Sequence, residues 1–130
     1  MTIPELLANS KTIAVVGLSS DPLRPSFGVS EYMQSVGYRI IPVNPAETEA
    51  LGEKSYARVT DILEPVDIVN VFRRPNQVMA VVEDAIAKGA KAVWMQLGIV
   101  NEEAAAKARA AGLFVVMDKC ILVEHKRLRG

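Results

Sequence analysis

A loop that combines a glycine, two serines and an arginine follows the first apolar run of the chain. It reads GLSSDPLRPS, residues 17–26, and a segment with helical spacing comes after it. Gly17 lets the backbone approach a ligand closely, while Ser19 and Ser20 add hydroxyl and amide donors. The following helix directs its N-terminus toward the same place, and Arg24 adds a fixed positive charge with a fork of donors. We expect this loop to bind phosphate; the alternative is a proline-stiffened connection with an exposed arginine.

A second basic feature is the adjacent pair Arg73 and Arg74, which directly follows another apolar run. Adjacent arginines usually belong to a solvated loop, but these two stand where a strand is expected to end. A ligand that carries phosphates at two separated places would use both Arg24 and this pair. Phe72 or the turn at residues 44–45 can then lie against a flat base.

Binding of a nicotinamide dinucleotide is the obvious rival to this interpretation. It needs the pattern G-x-G-x-x-G after the first strand and an acidic residue at the end of the second. After Gly17 the next glycine is Gly28, and the second run ends in Asn44-Pro45 with no carboxylate before Glu47. Both parts of the fingerprint are missing, so the sequence argues against a standard NAD site.

Other catalytic or metal-binding chemistry finds little support in the sequence. The chain has one cysteine, Cys120, and one histidine, His125, which do not make a convincing metal site. A G-x-S-x-G nucleophile motif does not occur. His125 lies among Glu124, Lys126 and Arg127, so we expect a solvated surface residue rather than a catalyst. We predict no catalytic residue and no metal ligand.

Five apolar runs supply the elements that must position these residues. They are continuous and rich in β-branched residues, which is typical of strands buried on both faces of a parallel sheet. The runs cover residues 12–17, 38–43, 67–72, 92–98 and 113–117. Right-handed crossovers between such strands give an open, doubly wound sheet with helices on both faces. We predict an α/β fold with a mainly parallel five-stranded sheet.

Helical segments lie between most of these runs, and a glycine marks the end of each. The predicted helices start at Ser26, Pro75 and Asn101 and stop at Gly37, Gly89 and Gly112. A leading helix over residues 3–9 and a closing turn or helix from about residue 120 flank the sheet. The less regular segment 46–66 is predicted to hold a short helical or strand fragment.

The polar residues gather at the ends of the predicted strands. In a parallel α/β sheet, ligands bind beyond the carboxyl ends of the strands, which share one edge. Five strand ends contribute polar groups: the loop from Gly17, the Asn44-Pro45 turn, Arg73 with Arg74, residues 96–98 and residues 118–120. One binding edge is therefore expected.

Length and charge limit the class of protein. A chain of 130 residues fits one domain over 1–130. Fifteen basic residues balance fifteen acidic ones, which argues against nucleic acid or an anionic membrane as the main partner. The N-terminus lacks the basic run of a signal peptide, and no apolar run is long enough to span a membrane. We expect a single-domain cytoplasmic protein without an internal disulfide.

The motifs taken together resemble a known family. The stretches VGLSSDPLRPSFGVSEYM, PVNP, VFRRP, AVWMQLGI and DKCILVEHKRL occur in this order between about residue 10 and residue 128. They resemble the small single-domain coenzyme A-binding proteins of bacteria and archaea, which are similar to the nucleotide-binding domain of the succinyl-coenzyme A synthetase alpha chain. The resemblance implies a Rossmann-like domain that binds coenzyme A across the edge described above.

The resemblance also implies which residues contact coenzyme A. Those that would face the pyrophosphate are Gly17, Leu18, Ser19, Ser20 and Arg24. Those that would line the adenosine end are Val43, Asn44 and Pro45, and those that would follow the third strand along the ligand are Phe72, Arg73 and Arg74. Met95, Gln96 and Leu97 would extend toward pantetheine. Cys120 has two open interpretations: a buried small residue, or a thiol near the coenzyme thiol.

The synthetase chemistry is not transferred with the resemblance. That enzyme needs a second domain with a phosphorylated histidine and a partner subunit, for which 130 residues leave no room. The expected function is non-enzymatic binding of coenzyme A or an acyl-coenzyme A, as a carrier, sensor or regulator. One alternative is a small acyl-transfer or coenzyme A-disulfide redox enzyme that uses Cys120. The other is the nucleotide-binding subunit of a larger ligase. The sequence does not identify a protein partner.

Overall fold

Helices and strands alternate along the computed structural model, which describes residues 1–129. In chain order the elements are α1 (Ile3–Ala8), β1 (Thr12–Val16), α2 (Pro25–Ser35), β2 (Arg39–Val43), β3 (Glu49–Ala50), β4 (Glu53–Lys54), β5 (Ile68–Val71), α3 (Val78–Lys88), β6 (Ala92–Met95), α4 (Glu102–Ala110), β7 (Phe114–Val116) and α5 (Ile121–Leu128). Single 3-10 turns occupy Val59–Asp61 and Pro75–Gln77.

The central sheet has five strands in the order β2-β1-β5-β6-β7, and every pairing in it is parallel. Val16 at the end of β1 is in register with Val43 of β2 and Val71 of β5. The chain winds outward from β1 in one direction and from β5 in the other, so the switch point lies between these two strands. The predicted doubly wound, Rossmann-like α/β fold is confirmed.

Each face of the sheet is covered by its own apolar core. On one face, α3 and α4 pack through Val78, Val82 and Ala105. On the other face, α1, α2 and α5 bury Leu6, Met33 and Ile121, together with the fully buried Trp94. All four residues of β5 and all four of β6 are buried, which explains why the strand sequences read as continuous apolar runs.

The helix ends agree with most of the predicted start and stop residues. Asn101 caps α4, its Oδ1 accepting a hydrogen bond from the Ala104 amide at 2.9 Å, and Gly89 ends α3 with a left-handed φ of 78°. The prediction that Ser26 caps α2 is wrong. The helix begins one residue earlier at Pro25, whose fixed φ suits the first helical position. Ser26 therefore lies inside the first turn.

The remaining segments are also ordered. Residues 46–66 contain the two-stranded antiparallel hairpin β3–β4 and a 3-10 turn, so both predicted kinds of fragment are present. The closing segment is the helix α5. No helix within residues 1–129 combines the length and apolar character needed to cross a membrane.

Asp67 ties together the amino ends of the central strands. Its Oδ2 accepts hydrogen bonds from the amides of Lys11 and Thr12 at 2.8 and 3.0 Å, and the Lys91 ammonium lies 3.3 Å from Oδ1. Burial acts to raise the pKa of Asp67, but these hydrogen bonds and the nearby cation lower it overall. This edge is opposite to the one where ligands are expected.

Candidate binding site at the carboxyl edge of the sheet

Gly17 and Phe72 bring the ends of β1 and β5 into close contact at the switch point. The Gly17 amide donates to the Val43 carbonyl at 2.8 Å, and the Phe72 amide donates to the Val16 carbonyl at 2.8 Å. Gly17 has a φ of 93°, and a Cβ placed on it would lie 2.3 Å from the Phe72 carbonyl oxygen. Only glycine fits this position without a shift of the backbone.

The loop after β1 is held by its own hydrogen bonds. The Ser26 hydroxyl accepts from the Ser19 amide at 3.1 Å, and the Ser19 hydroxyl accepts from the Asp21 amide at 3.0 Å. Asn44, buried at the end of β2, donates from Nδ2 to the Leu18 carbonyl at 3.1 Å. The loop is therefore fixed to both the following helix and the neighbouring strand.

Glu47 adds a contact across the site that the sequence analysis did not assign. Its carboxylate accepts hydrogen bonds from the amide of Ser20 at 2.7 Å and from the Ser20 hydroxyl at 2.9 Å. These bonds, the amide first, hold the pKa of Glu47 below its ordinary value. The position of Glu47, four residues after β2, was the available signal.

A cavity of about 650 Å³ opens between the ends of β1, β2 and β5. Its volume is in the range of small-molecule sites. Its walls include Gly17, Ser19, Arg24, Asn44, Arg73 and Arg74, together with Glu47, Gln77 and Ile99. Within the described part of the chain, none of these three arginines forms an ion pair, whereas Arg39, Arg58 and Arg127 do.

A second cavity, of about 570 Å³, adjoins the first and shares Arg73 and Gln77 with it. Its floor comes from strand ends and their turns, and one wall comes from α3. The lining includes Val16, Val43, Pro45, Ala80 and Val81. The ion pair between Arg58 Nη2 and Asp84 Oδ1, 2.5 Å apart, stands at its side. We call these two adjoining cavities together the groove, with Arg73 and Gln77 at the junction.

The structure brings nine of the fifteen predicted contact residues to this groove. Seven line the first cavity: Gly17, Ser19, Arg24, Asn44, Phe72, Arg73 and Arg74. Val43 and Pro45 line the second. Ser20 stands beside the groove and contacts its lining residue Glu47. The predicted phosphate loop and the arginine pair thus lie on one surface.

The other predicted contacts do not line either cavity. The side chains of Leu18 and Met95 are fully buried in the two cores. Gln96 is buried and donates from Nε2 to Asn70 Oδ1 at 2.7 Å, whereas Leu97 is 72% exposed. Cys120 is half-buried immediately before α5. Leu18 and Met95 are both 0% exposed, so neither offers a contact surface to a ligand in this structure.

His125 differs from its predicted surroundings, and the expectation of a solvated surface residue is wrong. Its ring is half-buried and makes edge contacts with Tyr32 and Tyr38, with centroids 5.5 and 5.8 Å apart. Nδ1 lies 2.8 Å from the Tyr32 hydroxyl. Burial, followed by the charge of Arg129, lowers the pKa of His125. The reason is the packing of α5 on α2, which the local charge pattern does not reveal.

Metal-binding chemistry has no candidate cluster in the described residues. No group of three or more histidine, cysteine, aspartate or glutamate side chains between residues 1 and 129 is arranged to hold a metal ion. The first cavity instead combines serine hydroxyls with three guanidinium groups. That combination suits an extended ligand with more than one phosphate.

Comparison with known proteins gives a consistent set of matches. A family model described as a CoA binding domain matches residues 11–126. The uncharacterized protein YneT of Bacillus subtilis strain 168 is 50% identical over 123 residues, which are 95% of this chain and 91% of that protein. A solved structure of a hypothetical protein from Pyrococcus horikoshii OT3 superposes with a TM-score of 0.96 at 44% identity, covering 98% of this chain and 90% of that one.

One further match places the same kind of domain in a much longer protein. The ADP-forming acetate–CoA ligase II of Archaeoglobus fulgidus is 32% identical over 106 residues. These residues are 78% of this chain but only 16% of the ligase. The similarity therefore covers one part of that enzyme.

Proposed function

Because the chain belongs to the CoA binding domain family, as the sequence resemblance predicted, we propose that it binds coenzyme A or an acyl-coenzyme A in the groove at the carboxyl edge. The observation that carries this proposal is the set of three arginines at the groove, Arg24, Arg73 and Arg74, none of which is paired with a carboxylate within residues 1–129. Coenzyme A carries a diphosphate and a separate 3′-phosphate, which match cations at two places.

The diphosphate is assigned to the loop after β1. The close packing of Gly17 on Phe72 leaves backbone at the surface of the groove, and Ser19 and Ser20 contribute donors beside it. Arg24 precedes Pro25 at the start of α2, where the helix dipole also favours an anion. The supporting fact is that these groups belong to one loop fixed by internal hydrogen bonds.

The adenosine end is assigned to the second cavity. Val43 and Pro45 offer apolar surface at the end of β2, and Ala80 and Val81 of α3 face them. Such a slot suits a flat base, because these apolar side chains offer surface to the ring while Asn76 and Gln77 offer polar groups to its edge. Arg73 at the junction, with Arg74 next to it, is then positioned for the 3′-phosphate of the ribose.

The pantetheine arm is assigned to the side of the groove where Ile99 follows β6. The exposed Leu97 lies two residues away along the same loop and offers apolar surface to this arm. Met95 and Gln96 are buried as whole residues, so we assign them no direct contact with this arm. The thiol, or an acyl group on it, would then leave the groove on this side.

The role we propose is that of a carrier, sensor or regulator rather than a catalyst. The groove offers donors, cations and apolar surface, which bind and orient a ligand. The thiol-enzyme alternative requires Cys120 to reach the coenzyme thiol, and Cys120 lines neither cavity. Incubation with coenzyme A disulfide, followed by intact-mass measurement with Cys120→Ser as control, tests it: we expect reversible binding without an adduct.

A second candidate role is that of a coenzyme A-binding unit serving a separate catalytic chain. The observation that favours it is the match to 16% of an acetate–CoA ligase, where the similar segment is one part of a longer protein. Co-purification of a second chain in stoichiometric amount would support this role over that of a free carrier or sensor.

The test of the proposed ligand is mass spectrometry of the protein purified without added ligand. Native conditions preserve a bound small molecule, and denaturing conditions release it for identification. We expect coenzyme A or an acyl-coenzyme A in the native spectrum. Calorimetry with added coenzyme A, NAD and ATP then ranks the affinities, and equal affinity for NAD and coenzyme A would overturn the assignment.

A further inference from the structure

The carboxylate of Glu47 reaches from the turn after β2 onto the loop after β1 and binds Ser20 twice. Oε2 accepts from the Ser20 amide at 2.7 Å, and Oε1 accepts from the Ser20 hydroxyl at 2.9 Å. Glu47 also lines the larger cavity, as do Ser19 and Asn44. An internal anion therefore occupies the donors of Ser20 that the proposed function assigns to a phosphate.

The contact has the form of phosphate recognition, since two oxygens of one anion accept from an amide and a hydroxyl. The lowered pKa of Glu47 keeps this carboxylate charged at neutral pH, although the nearby charge of Asp21 and slight burial act in the opposite direction. Glu47 does not neutralise the arginines of the cavity, because it forms no ion pair with any described residue. Its partner in the groove is the loop itself.

We propose that Glu47 determines ligand specificity by making an anion necessary for access to the donors of Ser20. A ligand obtains these donors only when it displaces the carboxylate, and an anion with two accepting oxygens replaces both bonds. An uncharged acceptor forms weaker hydrogen bonds to the same donors and so does not compete with the carboxylate. This inference rests on the proposed coenzyme A site and deepens it, because it names the diphosphate as the part of the ligand that displaces Glu47.

The substitution Glu47→Gln tests the proposal because it keeps the size of the side chain and removes its charge. Hydrogen bonds to a charged group are roughly twice as strong as neutral ones, so the glutamine competes less well for Ser20. We expect coenzyme A and ADP, which both carry a diphosphate, to bind about tenfold more tightly to this variant. Adenosine 3′-phosphate, which lacks the diphosphate, should bind with an affinity within about twofold of the parent.

A matched control is Glu49→Gln, two residues along the chain. Glu49 is exposed in β3 and makes no side-chain hydrogen bond or ion pair with the described residues, so this variant makes the same change in net charge. We expect its affinity for ADP to stay within about twofold of the parent, because Glu49 lines neither cavity and makes no contact with Ser20. An equal increase in ADP affinity in both variants would show a general effect of net charge and would overturn the proposal.

Hydrogen exchange of the Ser20 amide, followed by NMR in the protein alone, supplies a readout that needs no ligand. We expect faster exchange in Glu47→Gln and no change in Glu49→Gln; unchanged exchange in both overturns the contact itself. Weaker or unaltered ADP binding by Glu47→Gln overturns the proposed competition between Glu47 and the diphosphate for the donors of Ser20. If the parent binds no coenzyme A, the proposed function fails separately, and inorganic pyrophosphate replaces ADP as the probe of Glu47.

Discussion

Gly17 packs against Phe72 so closely that a Cβ on Gly17 would lie 2.3 Å from the Phe72 carbonyl oxygen. Gly17 immediately follows β1 and Phe72 immediately follows β5. The sheet reverses its winding direction between these two strands. The groove begins at this contact, so the glycine sets both the spacing of the strand ends and the position of the loop that follows.

The substitution Gly17→Ala should destabilise the protein by about 2–4 kcal/mol, because it adds a backbone clash to an unfavourable positive φ. Denaturant unfolding measures the change in the free energy of unfolding. Gly28→Ala is the control, since Gly28 lies in α2 and a Cβ there meets nothing within 4 Å. We expect the control to be neutral or stabilising by about 0.5–1 kcal/mol. Equal destabilisation of both variants would contradict the special role of position 17.

Arg24→Ala should weaken coenzyme A binding without affecting folding. Arg24 is exposed and lines the first cavity, so its loss should remove the charge-assisted contact that we propose with the diphosphate, worth about 1.5–3 kcal/mol, or roughly ten- to a hundredfold in Kd. Calorimetry measures the affinity, and Arg109→Ala on the exposed side of α4 controls for net charge. A lower thermal midpoint with unchanged affinity would make Arg24 a structural residue instead.

Dephospho-coenzyme A should bind more weakly than coenzyme A, because it lacks the phosphate that we assign to Arg73 and Arg74. In the Arg73→Ala and Arg74→Ala variants this preference should fall, since the cation that recognises the 3′-phosphate is removed. Competition between the two ligands, followed by calorimetry, gives the ratio of affinities directly. A ratio near one in the parent protein would exclude this placement of the 3′-phosphate.

Mild acid should lower the stability of the protein through His125. The folded protein has a pKa for His125 below its usual value of 6.5, so the unfolded chain binds more protons in the interval between the two values. The neutral imidazole makes its full contribution to the free energy of unfolding above about pH 6.5. That contribution is lost as the pH falls below this value. Unfolding free energies measured between pH 5 and pH 8 should show this slope.

His125→Phe is the variant that isolates the effect, because phenylalanine keeps ring packing against Tyr32 and Tyr38 but does not titrate. Its stability should change less than that of the parent between pH 5 and pH 7. At lower pH the stability of both proteins should still fall with acid. The carboxyl of Asp67 also has a lowered pKa, so it stops contributing to the free energy of unfolding as it becomes protonated. Identical pH profiles above pH 5 would contradict the prediction.

The elements and their order could be predicted from the sequence because their signals are local. Continuous β-branched runs mark strands buried on both faces, and a cap such as Asn101 or a stop such as Gly89 marks a helix end within a few residues. Parallel pairing then places every strand end on one edge. For the same reason the loop with Arg24 and the pair at Arg73 could be assigned to one surface.

The remaining features depend on residues far apart in the chain. Glu47 meets Ser20 across 27 positions, and His125 meets Tyr32 across 93, so no local pattern reports either contact. Leu18 and Met95 stand beside polar neighbours at strand ends, yet their side chains turn into the two cores. Membership in a binding loop does not decide which way a side chain points.

Asp67 anchors two strands at the edge opposite to the groove: its carboxylate accepts from the Thr12 amide of β1, and its backbone carbonyl accepts from the Ala92 amide of β6. Strand alignment and the ligand binding that we propose therefore depend on different residues at opposite ends of the same sheet. Such a division lets the loops diverge in sequence while the strands keep their register. The sheet is consequently a scaffold on which new ligand preferences could evolve, or be engineered, by exchanging the loops after β1, β2 and β5 alone.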